Sequence, residues 1–405
     1  MISARDLNLF LESQDYDLRK SGNGRWIDQK CTPDVLNIVS DCIFHYINDQ
    51  GNYKPFKSVD IWRSQYTADF VEQIFNKPKT NNSLSKREYD KFFSQPMEML
   101  ANAKILNKFK DGNKNMYTVR EPEILRYISL HERNALEFIV YYAEYVLKSS
   151  GIWDAFEEFF SLQTQDSYYK LKDSYESFII NYTKINGTTE VRRIFSKVIN
   201  PLSYKKRKRG TSRGRISKNK ITYSTLMYNQ ENFRDINIDK PKDITRQEWQ
   251  INHQRKVNKT YYEYQSQKSK LYLREFNNQY NYGASEVDDI YNIGEATQMH
   301  HIFPKHSYPE ISMYVENLIA ITPTQHFNKA HPNNNTHRTD PKYQAVLLKA
   351  KIKSIKENIE NKEIQSIYSF EDLLKVLSIG LDTEIDVEEN DFTSIIKIID
   401  QHYNI

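Results

Sequence analysis

The sequence predicts a multidomain α+β chain that is mainly helical, with its few strands confined to short pairs. Three observations lead there. Apolar stripes at helical spacing recur along the chain, turn residues isolate short strand-like runs, and the composition shifts sharply at 205–220 and 298–332. With 405 residues the chain is long enough for about two or three hydrophobic cores.

The N-terminal elements come first. Residues 33–49, PDVLNIVSDCIFHYIND, carry Val35, Ile38, Val39, Ile43 and Ile47 at helical spacing. The stretch SVDIWRSQYTADFVEQIF that follows reads as two shorter helices. Ser85 and Glu88 make a capping-box pair at the head of the next helix. Its core candidates are Tyr89, Phe92, Phe93 and Leu100, and a kink is expected at Pro96. KILNKFKDGNKNMYTV then supplies two strand-like runs around Asp111-Gly112, flanked by Lys108, Lys110 and Lys114. Helices followed by a basic hairpin suggest a winged-helix-like DNA-recognition region over 1–130. The plainer alternative is a helical domain with a surface hairpin. Residues 131–200, with ALEFIVYYAEYVL and WDAFEEFFSL, read as a second helical domain whose aromatics are mostly core.

Charge is informative by its distribution. Lys and Arg number 57 against 53 Asp and Glu, a net +4 that alone argues for no particular partner. KKRKRGTSRGRISKNK, residues 205–220, concentrates nine basic residues in 16 with no acidic one. Lys205, Lys206, Arg207, Lys208, Arg209, Arg213 and Arg215 are the candidates for neutralising phosphates. Gly210 and Gly214 are expected to keep this run flexible, and a solvated linker is the bland alternative. The segment 201–290 is thus read as a basic, DNA-contacting stretch plus a helical connector. Two cysteines, Cys31 and Cys42, exclude a disulfide framework and a four-Cys zinc site. Neither a signal-peptide pattern nor a long apolar run is seen, so a cytoplasmic location is expected.

The His-rich section, QMHHIFPKHSYPEISMYVENLIAITPTQHFNKAHP, divides into three pieces. TQMHHIF is a strand ended by Pro304, and NLIAIT, Asn317 to Thr322, is a second strand. Thr322-Pro323-Thr324-Gln325 then opens a helix by a capping box and by proline at its first position. His326 falls in the first turn. Adjacent strand residues point to opposite faces, so His300 and His301 are free to take different tasks. Beyond this section Val346, Leu347, Ala350 and Ile355 mark an amphipathic helix with Lys on its other side. DTEIDVEEND is an acidic loop before a final apolar helix at 392–400. The module is bounded at 291–345, and C-terminal helices fill 346–405.

His300-His301 in HHIFP, Asn317 in ENLIAI and His326 in TPTQH resemble the HNH, or ββα-metal, endonucleases. The intervals, 317 − 301 = 16 and 326 − 317 = 9, are ordinary for that family. By this resemblance His300 and His326 would bind metal, His301 would be the general base, and Asn317 would hold the His301 ring. The third ligand departs from the pattern, because Ala330 stands where colicin-like members carry a further His. His331 lies five residues after His326, about 140° around an ideal helix rather than about 40°. Two readings stay open for His331: ligation once the helix ends at Pro332, or contact with a phosphate while water completes the coordination.

The chemistry suits those residues. Phosphodiester hydrolysis needs a water made nucleophilic and charge stabilised on the leaving oxygen. A neutral imidazole accepts the water's proton, and a divalent ion stabilises the oxygen. The resemblance implies a metal-dependent endonuclease acting on double-stranded DNA, similar to Type II restriction endonucleases of the HNH class. It implies Mg²⁺ as cofactor, with Mn²⁺ as the other candidate. A homodimer and a cognate DNA methyltransferase as genetic partner are expected with it. The alternatives are a less specific HNH nuclease of phage defence or a mobile element, and a non-catalytic DNA-binding regulator.

Overall fold

The computed structural model describes residues 2–49, 54–75, 80, 86–228, 259–331, 340–361, 363–364 and 366–405. Among these the chain is mainly helical, with three two-stranded antiparallel sheets. It divides into two compact units, residues 2–254 and a unit from Arg255 to Ile405. No helix among the described residues is long and apolar enough to cross a membrane.

The N-terminal unit is built around helix α1 (Pro33–Asp49). All five of its predicted apolar positions are buried. Polar Asp34, Asn37, Ser40 and Asp41 are buried with them, so α1 is enclosed on every side rather than on one face. Most of that burial is offset by hydrogen bonds: Asn37 donates to the Ile128 carbonyl at 2.9 Å, Asp34 accepts from the Tyr228 backbone N–H and the Thr32 hydroxyl, and Asp41 accepts from the Tyr66 hydroxyl, while Ser40 Oγ and Asn37 Oδ1 have no partner among the described residues. Helix α2 (Lys86–Asn102) carries Pro96 in its interior and buries Tyr89, Phe92, Phe93 and Leu100, as expected. Ser85, the expected cap, lies outside the described residues. Strands β1 (Leu106–Asp111) and β2 (Lys114–Val119) pair with Asp111 opposite Lys114, around Gly112 at φ +56°. Helices α3 (Pro122–Leu130) and α4 (Glu132–Ser149) pack on α1. Next come α5 (Trp153–Leu162), α6 (Gln165–Tyr182) and α7 (Thr188–Lys205). α7 packs on both α4 and α6. Trp153, Phe156, Phe159, Phe160, Tyr168 and Tyr175 are in the core, while Tyr169 and Tyr182 are exposed.

The basic run is not a flexible linker. Lys205 ends α7, and the rest folds into a hairpin of β3 (Arg209–Ser212) and β4 (Arg215–Lys220). Ser212 pairs with Arg215 around a two-residue turn in which Arg213 and Gly214 both have positive φ, +51° and +78°. That is the type I′ geometry whose twist suits a hairpin. Two amide side chains hold β3 as a neighbouring strand would. Asn200 accepts from the Thr211 N–H at 2.8 Å and donates to its carbonyl at 3.1 Å. Gln163 does the same for Arg209. Gly210 is a packing glycine: a Cβ there would lie 2.4 Å from Asn200 Oδ1 and 2.8 Å from the Ile221 side chain.

In the C-terminal unit a long helix, α8 (Lys259–Tyr280), packs on a sheet of β5 (Gln298–His301) and β6 (Leu318–Ile321). The helical connector expected within 201–290 is observed from Lys259; residues 229–258 lie outside the described residues. β5 and β6 pair with His300 opposite Ile319 and His301 opposite Leu318. Helices α9 (Pro341–Glu360), α10 (Phe370–Gly380) and α11 (Phe392–Tyr403) complete the unit. Of the positions expected on the stripe of α9, Leu347 and Ile355 are buried, together with Ala345, Leu348, Lys351 and Ile352; Val346 is exposed. Lys351, expected on the solvated side, is buried between both Glu286 carboxylate oxygens, at 3.0 and 3.2 Å, and the Tyr368 hydroxyl at 2.6 Å. Glu286 in turn accepts from the Ala320 N–H at 2.8 Å and so steadies β6.

Candidate metal centre and its neighbouring histidine

The doublet divides its two rings between opposite faces of β5, as strand geometry requires. The His300 ring is buried and turns toward His326 and His331, with centroids 5.2 and 4.9 Å away. The His326 and His331 centroids are 4.7 Å apart. One ligand nitrogen from each of the three lies within 4.8 Å of the others.

The chain reaches this arrangement through an irregular helix. Thr322 caps it, accepting from the Gln325 N–H at 3.2 Å, and Pro323 opens it. Gln325 is fully buried and anchors the turn, accepting from Ser285 and donating to the Val287 carbonyl and Asp289. After Gln325 the backbone does not continue as an α-helix. His326–Ala330 form a π-turn, in which hydrogen bonds span five residues rather than four. The i to i+5 span draws His331 closer to His326 than an α-helix would. At His331 the backbone becomes extended, with φ −119° and ψ 103°. Of the two readings left open for His331, the geometry places its ring in the cluster.

His301 has separate partners. Its Nε2 lies 3.0 Å from the Ser312 carbonyl oxygen and 3.0 Å from Ser266 Oγ on α8. A carbonyl only accepts, so that bond assigns the hydrogen to Nε2 and leaves Nδ1 with the basic lone pair. Asn317 does not hold this ring, contrary to the expectation. Its Oδ1 accepts from the Phe303 N–H at 2.8 Å, and its Nδ2 donates to the Phe303 and Ile311 carbonyls at 3.1 and 3.3 Å. Fully buried, it clamps the two ends of the loop between β5 and β6. Ring orientation falls instead to Ser312, which that loop carries.

Electrostatics keep the imidazoles neutral. Burial, then the neighbouring His326 and His331, hold His300 well below the ordinary histidine range. Burial and the Lys270 ammonium push His301 down to about 3, against the opposing effect of its bond to Ser312. His326 is pushed down to about 4, by burial first and then by His331 and Lys270. Neutral imidazole is the form that binds a metal ion or accepts a proton. His300 Nε2 and His326 Nδ1 are buried atoms without a hydrogen-bond partner. Buried polar nitrogens carry a substantial cost unless something binds them, and convergent imidazoles fit a metal ion.

The other positions fall elsewhere. His306, outside the cluster, is exposed beside Ser307, and Pro332 lies outside the described residues. In the basic run Lys205, Lys206 and Arg207, before the hairpin, and Arg213 and Arg215, on it, are exposed, and Lys208 is half-buried. Lys206 rests over the Trp153 and Phe160 rings at 5.5 Å. Arg209 is half-buried and donates its guanidinium to the Gln163 carbonyl, which makes it part of the hairpin's anchorage. Sequence reasoning missed Ser266, Ser312 and Lys270 near the histidines. No protein-family model, curated protein or solved structure matches the chain.

Proposed function

We propose that the chain is a metal-dependent endonuclease that hydrolyses phosphodiester bonds of DNA. The observation that carries this reading is the division of labour around β5. Three imidazoles converge on one side, two of them, His300 and His326, with unpartnered buried nitrogens, and a fourth, His301, is held separately by the Ser312 carbonyl. A metal held by His300, His326 and His331 would stabilise charge on the leaving oxygen. His301 Nδ1 takes the proton of the attacking water. An anionic phosphate brought beside His301 raises its basicity from the low value set by burial, because a negative neighbour favours the imidazolium. Asn317 keeps the loop, and through it Ser312, in register with the ring.

The donor set bears on the metal. Three imidazoles with no carboxylate among them suit Zn²⁺ or another first-row transition ion, whereas Mg²⁺ takes oxygen ligands. The proposed resident ion is therefore a transition metal rather than the Mg²⁺ implied by the resemblance. The exposed cations of the 205–220 hairpin support DNA as the substrate. Site-specific cutting of duplex DNA, as by a restriction enzyme, is the proposed activity; a nonspecific nuclease is the second reading.

A plasmid digest with chelator-stripped protein, reloaded in turn with Zn²⁺, Mn²⁺ and Mg²⁺, tests this. Discrete fragments support a site-specific enzyme, and a smear supports the nonspecific one. Absence of cutting with every ion would overturn the nuclease reading.

A further inference from the structure

Helix α8 brings a cation to the cluster. Ser266, at His301, and Lys270 are four residues apart, so they share one face of the helix, about 6 Å apart along its axis. Ser269 donates to the Met313 carbonyl and ties this face to the loop that carries Ser312. Lys270 is half-buried, and among the described residues it has neither a hydrogen bond nor an ion pair. The charged groups that act on it are Lys305 and Arg274, both cationic. It acts in turn on His300, His301 and His326. Lys305 has Glu263 at 3.8 Å; Lys270 has no such counter-charge among the described residues.

A half-buried ammonium loses hydration, and here it recovers nothing from a carboxylate. Lysines on helix faces ordinarily carry the charged head out to water. A divalent ion among three imidazoles with no carboxylate beside them would add positive charge that the donor set does not balance. Lys270 and that ion share one missing partner, an anion.

We infer that Lys270 binds an oxyanion beside the three-histidine cluster, the non-bridging oxygen of a phosphodiester, and stabilises its charge as the bond to the leaving oxygen breaks. Naming the oxyanion as a phosphodiester rests on the nuclease reading above; the site itself calls for any tetrahedral oxyanion that a point charge can hold.

Wild type, Lys270→Gln and Lys270→Arg, each loaded with Zn²⁺, distinguish the two ideas. Calorimetric titration with inorganic phosphate should show binding to wild type, at least about 10-fold weaker binding to Lys270→Gln, and retention in Lys270→Arg. Zn²⁺ affinity, measured against a competing chelator, should be unchanged or higher in Lys270→Gln, because a like charge has gone. Weaker phosphate binding with no loss of metal affinity separates an anion-binding role from general damage to the fold. With DNA, Lys270→Gln should lower kcat by about 10²-fold. Equal phosphate affinity in wild type and Lys270→Gln, or none in wild type, overturns the assignment. Phosphate binding through Lys270 in a protein that cuts no DNA would sustain the oxyanion site and overturn the nuclease reading. Wild-type kcat in Lys270→Gln would do the reverse.

Discussion

His331 stands one π-turn beyond His326, and their rings lie 4.7 Å apart. An α-helical turn would bring Ala330, not His331, nearest to His326. The one-residue excess of the π-turn therefore makes the spacing HFNKAH compatible with a shared ligand site.

The proposed metal centre makes His331 a ligand on equal terms with His300 and His326. His331→Ala should weaken Zn²⁺ binding by at least about 10²-fold, more than loss of an outer-shell partner usually does. His306→Ala, at an exposed position, should leave it unchanged. Calorimetry against a competing chelator reads both; equal affinity in wild type and His331→Ala would remove His331 from the site.

Asn317 acts on the backbone, so its removal should register as lost stability before lost metal. Asn317→Ala leaves the buried Phe303 N–H without its acceptor, a loss of about 1–3 kcal/mol. Urea unfolding of the metal-stripped protein measures it. A change confined to catalysis, with stability intact, would contradict the clamp.

Acid should destabilise the metal-free protein through its buried imidazoles. His301 stays neutral in the folded chain because its value is pushed down to about 3, while in the unfolded chain it titrates near about 6.5. As pH falls below about 6.5 the unfolded state takes the proton first, so stability present above that value is lost progressively toward about 3. His301→Gln should flatten the fall. Identical slopes of melting temperature against pH in the two proteins would show that His301 does not contribute.

In the 205–220 segment anchorage can be separated from the proposed DNA binding. Gly210→Ala forces a methyl against Asn200 and Ile221 and should cost about 1–3 kcal/mol. Joint replacement of Arg213, Arg215, Lys218 and Lys220 by Ser should spare stability and weaken DNA binding. Its salt dependence should be shallower by about 0.9 in log–log slope for each phosphate no longer neutralised. An unchanged slope would leave these cations without a DNA role.

The local pattern around the histidines was legible because it rests on short-range rules. Strand alternation, the Thr322–Gln325 capping box and proline at the helix start all act within a few residues. The π-turn was not legible, since a five-residue hydrogen-bond span has no signature in apolar periodicity. Ser266 and Lys270 lie some 30 residues upstream on a polar helix. A hint was present in small residues at 266 and 269 interleaved with Tyr272, Leu273 and Phe276, which together form a buried face. The basic hairpin escaped because its strands lack apolar alternation; Asn200 and Gln163 supply the pairing from other helices. Lys351 was assigned to the solvated side because nothing near it in sequence announces Glu286.

The most direct test of the account is plasmid cleavage by chelator-stripped protein, by the same protein reloaded with Zn²⁺ or Mn²⁺, and by His301→Ala carrying the same metal. The account predicts no cutting without metal and restored cutting with it. His301→Ala should bind metal normally and cut about 10²–10⁴-fold more slowly. Cutting by the stripped protein, or wild-type cutting by His301→Ala, would contradict it.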